Sequence, residues 1–270
     1  MAARRGDLRG RRRQGAPGPI AGTSSIAFRL RLLPILLLLA PLVAAAQSEL
    51  RGYWDAIARG DYNAAAVEVR PLADQGNPEA QYRFGMLYAD GLGVRPSDAL
   101  AASWLRRAAD QGHPRALVAL GHFYKDGRGV PADAGMALQL YRKAADAGDA
   151  VAQNNVGFMY ASGRGAAANP GEAVKWYRLA AEQGLAGAQS NLGVMYLKGS
   201  GVPQDDGEAV KWIRRAAGQG DAYAQYNLGL MYAQGRGVIV KDEREAIAWL
   251  TKSADGGYGP AALLLRQLKP

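Results

Sequence analysis

The chain repeats itself every 36 residues. Segments beginning at Ala80, Ala116, Ala152, Ala188 and Ala224 superimpose column on column, all 36 apart, and the next begins at Ala261 after one extra residue near Val240. Gly85, Gly121, Gly157, Gly193 and Gly229 share one column, and Tyr88, Tyr124, Tyr160, Tyr196 and Tyr232 another. A Gly-x-Gly turn recurs at Gly91/Gly93, Gly127/Gly129, Gly163/Gly165, Gly199/Gly201 and Gly235/Gly237. A unit this short cannot bury its own apolar face, so such chains stack their units into a solenoid or array.

Each unit reads as two helices. In the fourth, the shared residues Ala188, Gln189, Leu192, Gly193 and Tyr196 fall on one side of a helical wheel, where a strand would scatter them over both faces. The mid-helix glycine costs about 1 kcal/mol against alanine, so it must admit something close, and a neighbouring helix backbone is the expected reason. The second helix starts at a column of N-cap residues, Ser97, Asp133, Asn169, Asp205 and Asp242. Glu172, Glu208 and Glu245 stand three residues later, which predicts a capping box in three units. Pro170 fits the first helical position, and Gly112, Gly148, Gly184, Gly220 and Gly257 suit left-handed caps at the end. With only two threonines in the chain, strands have little to be built from, and the class is all-α.

Residues 1–46 are set apart. Eight basic residues and one acid give them 8 − 1 = +7, whereas residues 47–270 hold 25 basic and 23 acidic residues, or +2. The net charge of +9 therefore belongs to the leader, and no nucleic-acid partner is expected. Leu32–Ala46 is fifteen residues long, apolar throughout and interrupted by Pro34 and Pro41, and it ends Ala44-Ala45-Ala46. That is the form of a secretory signal, and it is shorter than the roughly 20 residues a spanning helix needs. Cleavage is expected after Ala46, leaving no stable membrane span and a periplasmic or secreted body; an uncleaved anchor is the alternative.

The pattern Ala-Gln-x-x-Leu-Gly-x-x-Tyr, Gly-x-Gly-Val, Ala-x-x-Trp and Ala-Ala-x-x-Gly resembles the Sel-one-like repeat, a relative of the tetratricopeptide repeat. The resemblance is tight from Ala80 to Gly257, with Leu140 in the Trp column, Ala166 in the Val column and Ser253 in the Ala-Ala column as departures. It implies a right-handed α-solenoid of stacked antiparallel helix pairs. Thirteen helices are expected: a capping pair over 47–79, five repeats over 80–260 and a closing helix, Ala261–Leu268, within 261–270. The Tyr and Trp columns are expected to fill the interrepeat core.

Chemistry is sparse. There is no cysteine and only two histidines, His113 and His122, which excludes thiolate zinc, iron–sulfur clusters, cysteine nucleophiles and multi-histidine metal centres. Gly163-Arg164-Gly165 lacks the preceding strand that a dinucleotide site requires, and the common hydrolase and NTPase signatures are missing. No catalytic residue, metal or cofactor is expected. His113 reads as a capping or solvent-facing residue and His122 as a surface residue. Basic pairs such as Arg106-Arg107, Arg142-Lys143 and Arg214-Arg215 complement negative helix ends, with a stripe for an acidic partner as the second reading.

The resemblance further implies that the first helices line a concave groove. Their non-core positions give the candidate partner-binding set Tyr82, Arg83, Met86, His122, Asn155, Phe158, Asn191, Tyr226 and Asn227. Aromatics supply contact area there and amides can bond a ligand backbone, which suits a protein or peptide partner. The asparagine column also allows a second role, tying adjacent repeats together. The function expected is a non-catalytic interaction scaffold or regulator in the bacterial envelope; a cell-wall enzyme or peptidoglycan-binding module is the alternative.

Overall fold

The computed structural model describes residues 49–237 and 240–268. The leader and its expected cleavage point after Ala46 lie outside the described residues. A pair, α1 (Arg51–Ala58) and α2 (Tyr62–Asp74), precedes five more. These are α3 (Pro78–Asp90) with α4 (Asp98–Asp110), α5 (Pro114–Asp126) with α6 (Ala134–Asp146), and α7 (Ala150–Ser162) with α8 (Pro170–Glu182). They continue with α9 (Ala186–Lys198) and α10 (Asp206–Gly218), then α11 (Ala222–Gln234) and α12 (Glu243–Asp255). Helix α13 (Gly259–Leu268) closes the array, starting two residues before the expected Ala261. The described residues thus form thirteen helices and no strand, each helix packed on its neighbours in sequence: an all-α repeat solenoid.

The ends of the helices follow the local chemistry. Ser97, Asp133, Asn169, Asp205 and Asp242 accept from backbone N–H groups of the first turn. Asn77, His113, Asp149 and Asp221 do the same for the first helices, and Leu185 leaves α9 without a side-chain cap. The capping boxes do not close. Glu172 and Glu208 turn outward to Lys175 and Lys211, at 2.6 Å each. The cap N–H groups of Asn169, Asp205 and Asp242 go instead to the carbonyls of Tyr160, Tyr196 and Tyr232. A backbone acceptor already fixed by the preceding helix displaces the glutamate.

The glycine column admits side chains more than backbone. A Cβ on Gly157 would lie 2.7 Å from Cδ1 of Tyr177, and one on Gly193 2.5 Å from Cγ1 of Ile213. A backbone carbonyl follows at 3.2 Å in three repeats. The residues received there, Leu105, Tyr141, Tyr177, Ile213 and Leu250, are the buried centre of each pair. The core therefore departs from the expected Tyr and Trp columns. The Tyr88-type column is half-buried throughout, and of the tryptophans Trp212 is buried whereas Trp104, Trp176 and Trp249 are half-buried. The repeats themselves dock through the second turn glycine. Gly129, at φ 62°, sits so close to the Asp98 backbone of the preceding pair that a Cβ would come within 2.2 Å.

Polar ties cross the same seam. Gln183 donates to Gly148 O at 3.1 Å and to Gln153 Oε1 at 2.8 Å, while Gln153 donates to Ala145 O at 3.2 Å. Gln111 with Gln81, and Gln219 with Gln189, repeat the arrangement. In the second repeat both partners are apolar, Leu117 opposite Ala147, so no amide is left buried and unmatched.

Candidate functional site

The first-helix face carries a pocket of about 320 Å³ built from three helices. Helix α3 supplies Tyr82 and Met86; α5 supplies Arg115, Val118, Ala119 and His122; Val151 of α7 and its cap Asp149 close it. The floor is apolar because the small Val118 and Ala119 occupy the columns that hold Tyr82 and Arg83 one repeat earlier. A larger and open depression of about 650 Å³ lies elsewhere, by the turn between α3 and α4, lined by Tyr88, Val94, Arg95, Pro96, Ser97 and Leu100. None of the sequence-derived candidates lines it. The smaller pocket gathers three of them, which makes it the candidate site despite its size.

Its polar groups are held in place. His122 Nδ1 lies 2.9 Å from the Tyr141 hydroxyl. Burial, with Lys125 close by, lowers the His122 pKa, and burial raises that of Tyr141. A phenol that donates to Nδ1 requires the neutral imidazole with its proton on Nε2, the form that burial favours. Asp149 uses one oxygen to cap α7, accepting from Ala152 N–H at 2.8 Å. Arg115 is exposed and belongs to no ion pair among the described residues, so it is the free cation of the rim.

Beyond the pocket the candidates part company. Arg83 is occupied within the chain: it binds Glu79 at 2.6 Å and lies over Trp54 at 4.6 Å and Tyr82 at 5.1 Å. Glu79 also meets His113 Nε2 at 2.8 Å, and the His113 ring stacks on Tyr82. That hydrogen bond, helped by Arg83 and opposed by burial, holds the Glu79 carboxyl down to about 2. Phe158 is 43% exposed, with Arg164 5.8 Å above its ring. Tyr226 packs on Tyr258 at the far end of the array.

The asparagine column has three fates. Asn191 donates to Asn154 across the repeat seam at 3.0 Å, which is the tying role. Asn227 is buried and donates to its own helix at Tyr223 O. Asn155 has a buried Nδ2 with no hydrogen-bond partner among the described residues. Val118, Ala119, Val151, Arg115 and Asp149 escaped sequence reasoning. The first two stand in candidate columns, but small apolar side chains carry no chemical signal.

Sequence and structural comparisons bear on the identity of this array. The Sel1 repeat family model matches residues 78–113, 114–149, 150–185, 186–221 and 222–258. The chain belongs to the Sel1 repeat family. A Sel1 repeat protein from Oxalobacter formigenes is similar in structure at a TM-score of 0.77 and 33% identity, over 82% of this chain and 90% of that one. A protective antigen present in uropathogenic Escherichia coli strains is similar at a TM-score of 0.70 and 37% identity, over 75% of this chain and 43% of the antigen. No match was found among curated proteins. Sel1 repeat proteins are generally protein-interaction scaffolds and typically non-enzymatic. Among the described residues of this one, no helix is long and apolar enough to cross a membrane, and no cluster of His, Asp and Glu could hold a metal ion.

Proposed function

We propose that this Sel1 repeat protein is a non-catalytic scaffold that holds a segment of a protein partner on its first-helix face. The observation that carries the reading is the pocket between α3, α5 and α7, where Met86, Val118, Ala119 and the Tyr82 ring form an apolar floor beside the Arg115 cation. A pocket of this kind takes an apolar side chain and leaves polar groups at the rim to orient the chain that bears it. Phe158, exposed on α7, adds a second apolar surface on a first helix. A photo-crosslinking residue at Val118 is expected to give a discrete protein adduct in cells, with none from the same residue at Leu100. Equal labelling from both positions would overturn the reading.

The location proposed is extracytoplasmic. The basic start, the apolar run Leu32–Ala46 and its Ala44-Ala45-Ala46 ending support export with cleavage after Ala46. N-terminal sequencing of the mature protein is expected to begin at Gln47. A chain that retains Leu32–Ala46 would contradict export by this route.

A further inference from the structure

Five arginines, Arg70, Arg106, Arg142, Arg178 and Arg214, stand 36 residues apart in the second helices of successive pairs. In four of them the guanidinium donates to the phenol oxygen of the tyrosine eighteen residues on, in the next pair. Arg106 reaches Tyr124, Arg142 reaches Tyr160 at 3.2 Å, Arg178 reaches Tyr196 at 2.7 Å and Arg214 reaches Tyr232 at 3.5 Å. Arg106 and Arg178 also overhang those rings, at 5.7 and 5.9 Å.

The alternative partner is close at hand. Asp74, Asp110, Asp146 and Glu182 stand four residues after the first four arginines, the spacing of a helical ion pair. Arg70 makes no bond to Tyr88 and pairs with Asp74 at 3.6 Å. Arg106, Arg142 and Arg178 bond the tyrosine, and none of them forms an ion pair among the described residues. The tyrosine thus draws each guanidinium away from the carboxylate of its own helix. Arg107 and Arg215 fold over Trp104 and Trp212 instead, and Lys175 and Lys211 are neutralised by Glu172 and Glu208. What remains is a row of four oriented cations, each with one donor engaged and the rest of its fork free.

We propose that the row Arg106, Arg142, Arg178 and Arg214 docks an acidic protein segment, whose Asp and Glu carboxylates take one guanidinium per repeat. The planar fork matches a carboxylate in two-point contact. The near balance of charge over residues 47–270, 25 basic against 23 acidic, gives no long-range field for a dense polyanion. Recognition therefore rests on discrete pairs, and on a different surface from the pocket.

The test is fluorescence anisotropy with a labelled deca-glutamate peptide at low salt, on variants whose fold is checked by circular dichroism. Arg142→Gln/Arg178→Gln is expected to weaken binding about tenfold, the equivalent of about 1.4 kcal/mol over the two pairs. Arg142 is exposed, so Arg142→Gln alone serves if the double variant loses its fold. Tyr160→Phe/Tyr196→Phe keeps every charge but frees the guanidinium groups toward Asp146 and Glu182, and is expected to weaken binding about threefold; a response to charge alone would leave this variant unchanged. Met86→Ala/Phe158→Ala is expected to bind the peptide as wild type does. Equal affinity of wild type and the arginine variant would overturn the proposal. So would tighter binding, through the same arginines, to phosphatidylglycerol vesicles or single-stranded DNA.

Discussion

Gly157→Ala sets two effects against each other. Alanine in a helix interior is favoured over glycine by about 1 kcal/mol, so propensity alone predicts a more stable protein. The added Cβ would stand 2.7, 2.8 and 3.1 Å from Cδ1, Cε1 and Cγ of Tyr177, where carbon atoms prefer about 3.5–4.0 Å. The ring is only 3% exposed and cannot swing aside, so helix α8 must move. Overpacking of this kind costs about 1–3 kcal/mol, and three crowded ring atoms put the cost near the upper end, for a net loss of about 2 kcal/mol. In a chain of this length that lowers the midpoint of thermal unfolding by about 4–8 °C, read by circular dichroism. Gly157→Ala/Tyr177→Leu should lose less than the sum of its parts, since Leu105 fills the equivalent place opposite Gly85. As a control, a Cβ on Gly218 meets nothing within 4 Å, so Gly218→Ala should be neutral or slightly stabilising. A Gly157→Ala protein that melts above wild type would refute the close-packing account.

Trp212, 8% exposed, is expected to cost about 3–5 kcal/mol on replacement by alanine, and the half-buried Trp249 clearly less, measured by urea unfolding. Gln183→Ala alone leaves Gln153 without its donor and should cost about 1–2 kcal/mol, whereas Gln153→Leu/Gln183→Ala copies the second repeat and should cost less than the single change. The Glu79 carboxyl, held from 4.5 down to about 2, contributes stability that is complete above its unfolded value and lost as pH falls through that interval. The gap corresponds to at most about 3.4 kcal/mol, and with a third of the side chain open to water (33%) about 1–2 kcal/mol is expected. The stabilities of wild type and Glu79→Gln should therefore differ by a constant amount above about pH 4.5 and converge toward pH 2.

Much of the fold could be read from local chemistry. The cap columns from Ser97 to Asp242, the glycine turns and the helix count all follow from spacing within one unit. What resisted was whatever crosses between helices. A helical wheel shows that Gly157 is on a buried face, but not that Tyr177, twenty residues on, fills the space above it. Glu172 has the capping-box spacing, yet its target N–H is already taken by Tyr160 O. The site was legible only where side chains are large. Tyr82, Met86 and His122 were found because they are conspicuous, and Val118 and Ala119 were missed although their smallness opens the pocket. Asn155, Asn191 and Asn227 share a column but not a neighbourhood, since the residues around them vary from repeat to repeat.

The scaffold claim meets its most direct test in quantitative affinity capture from an envelope extract, comparing wild type with a folded Met86→Ala/Phe158→Ala variant. Specific retention of a protein by wild type and its loss from this variant is the predicted result. Retention of the same proteins to the same extent by both would contradict the account, because the partner would then be held by a surface other than the first-helix face.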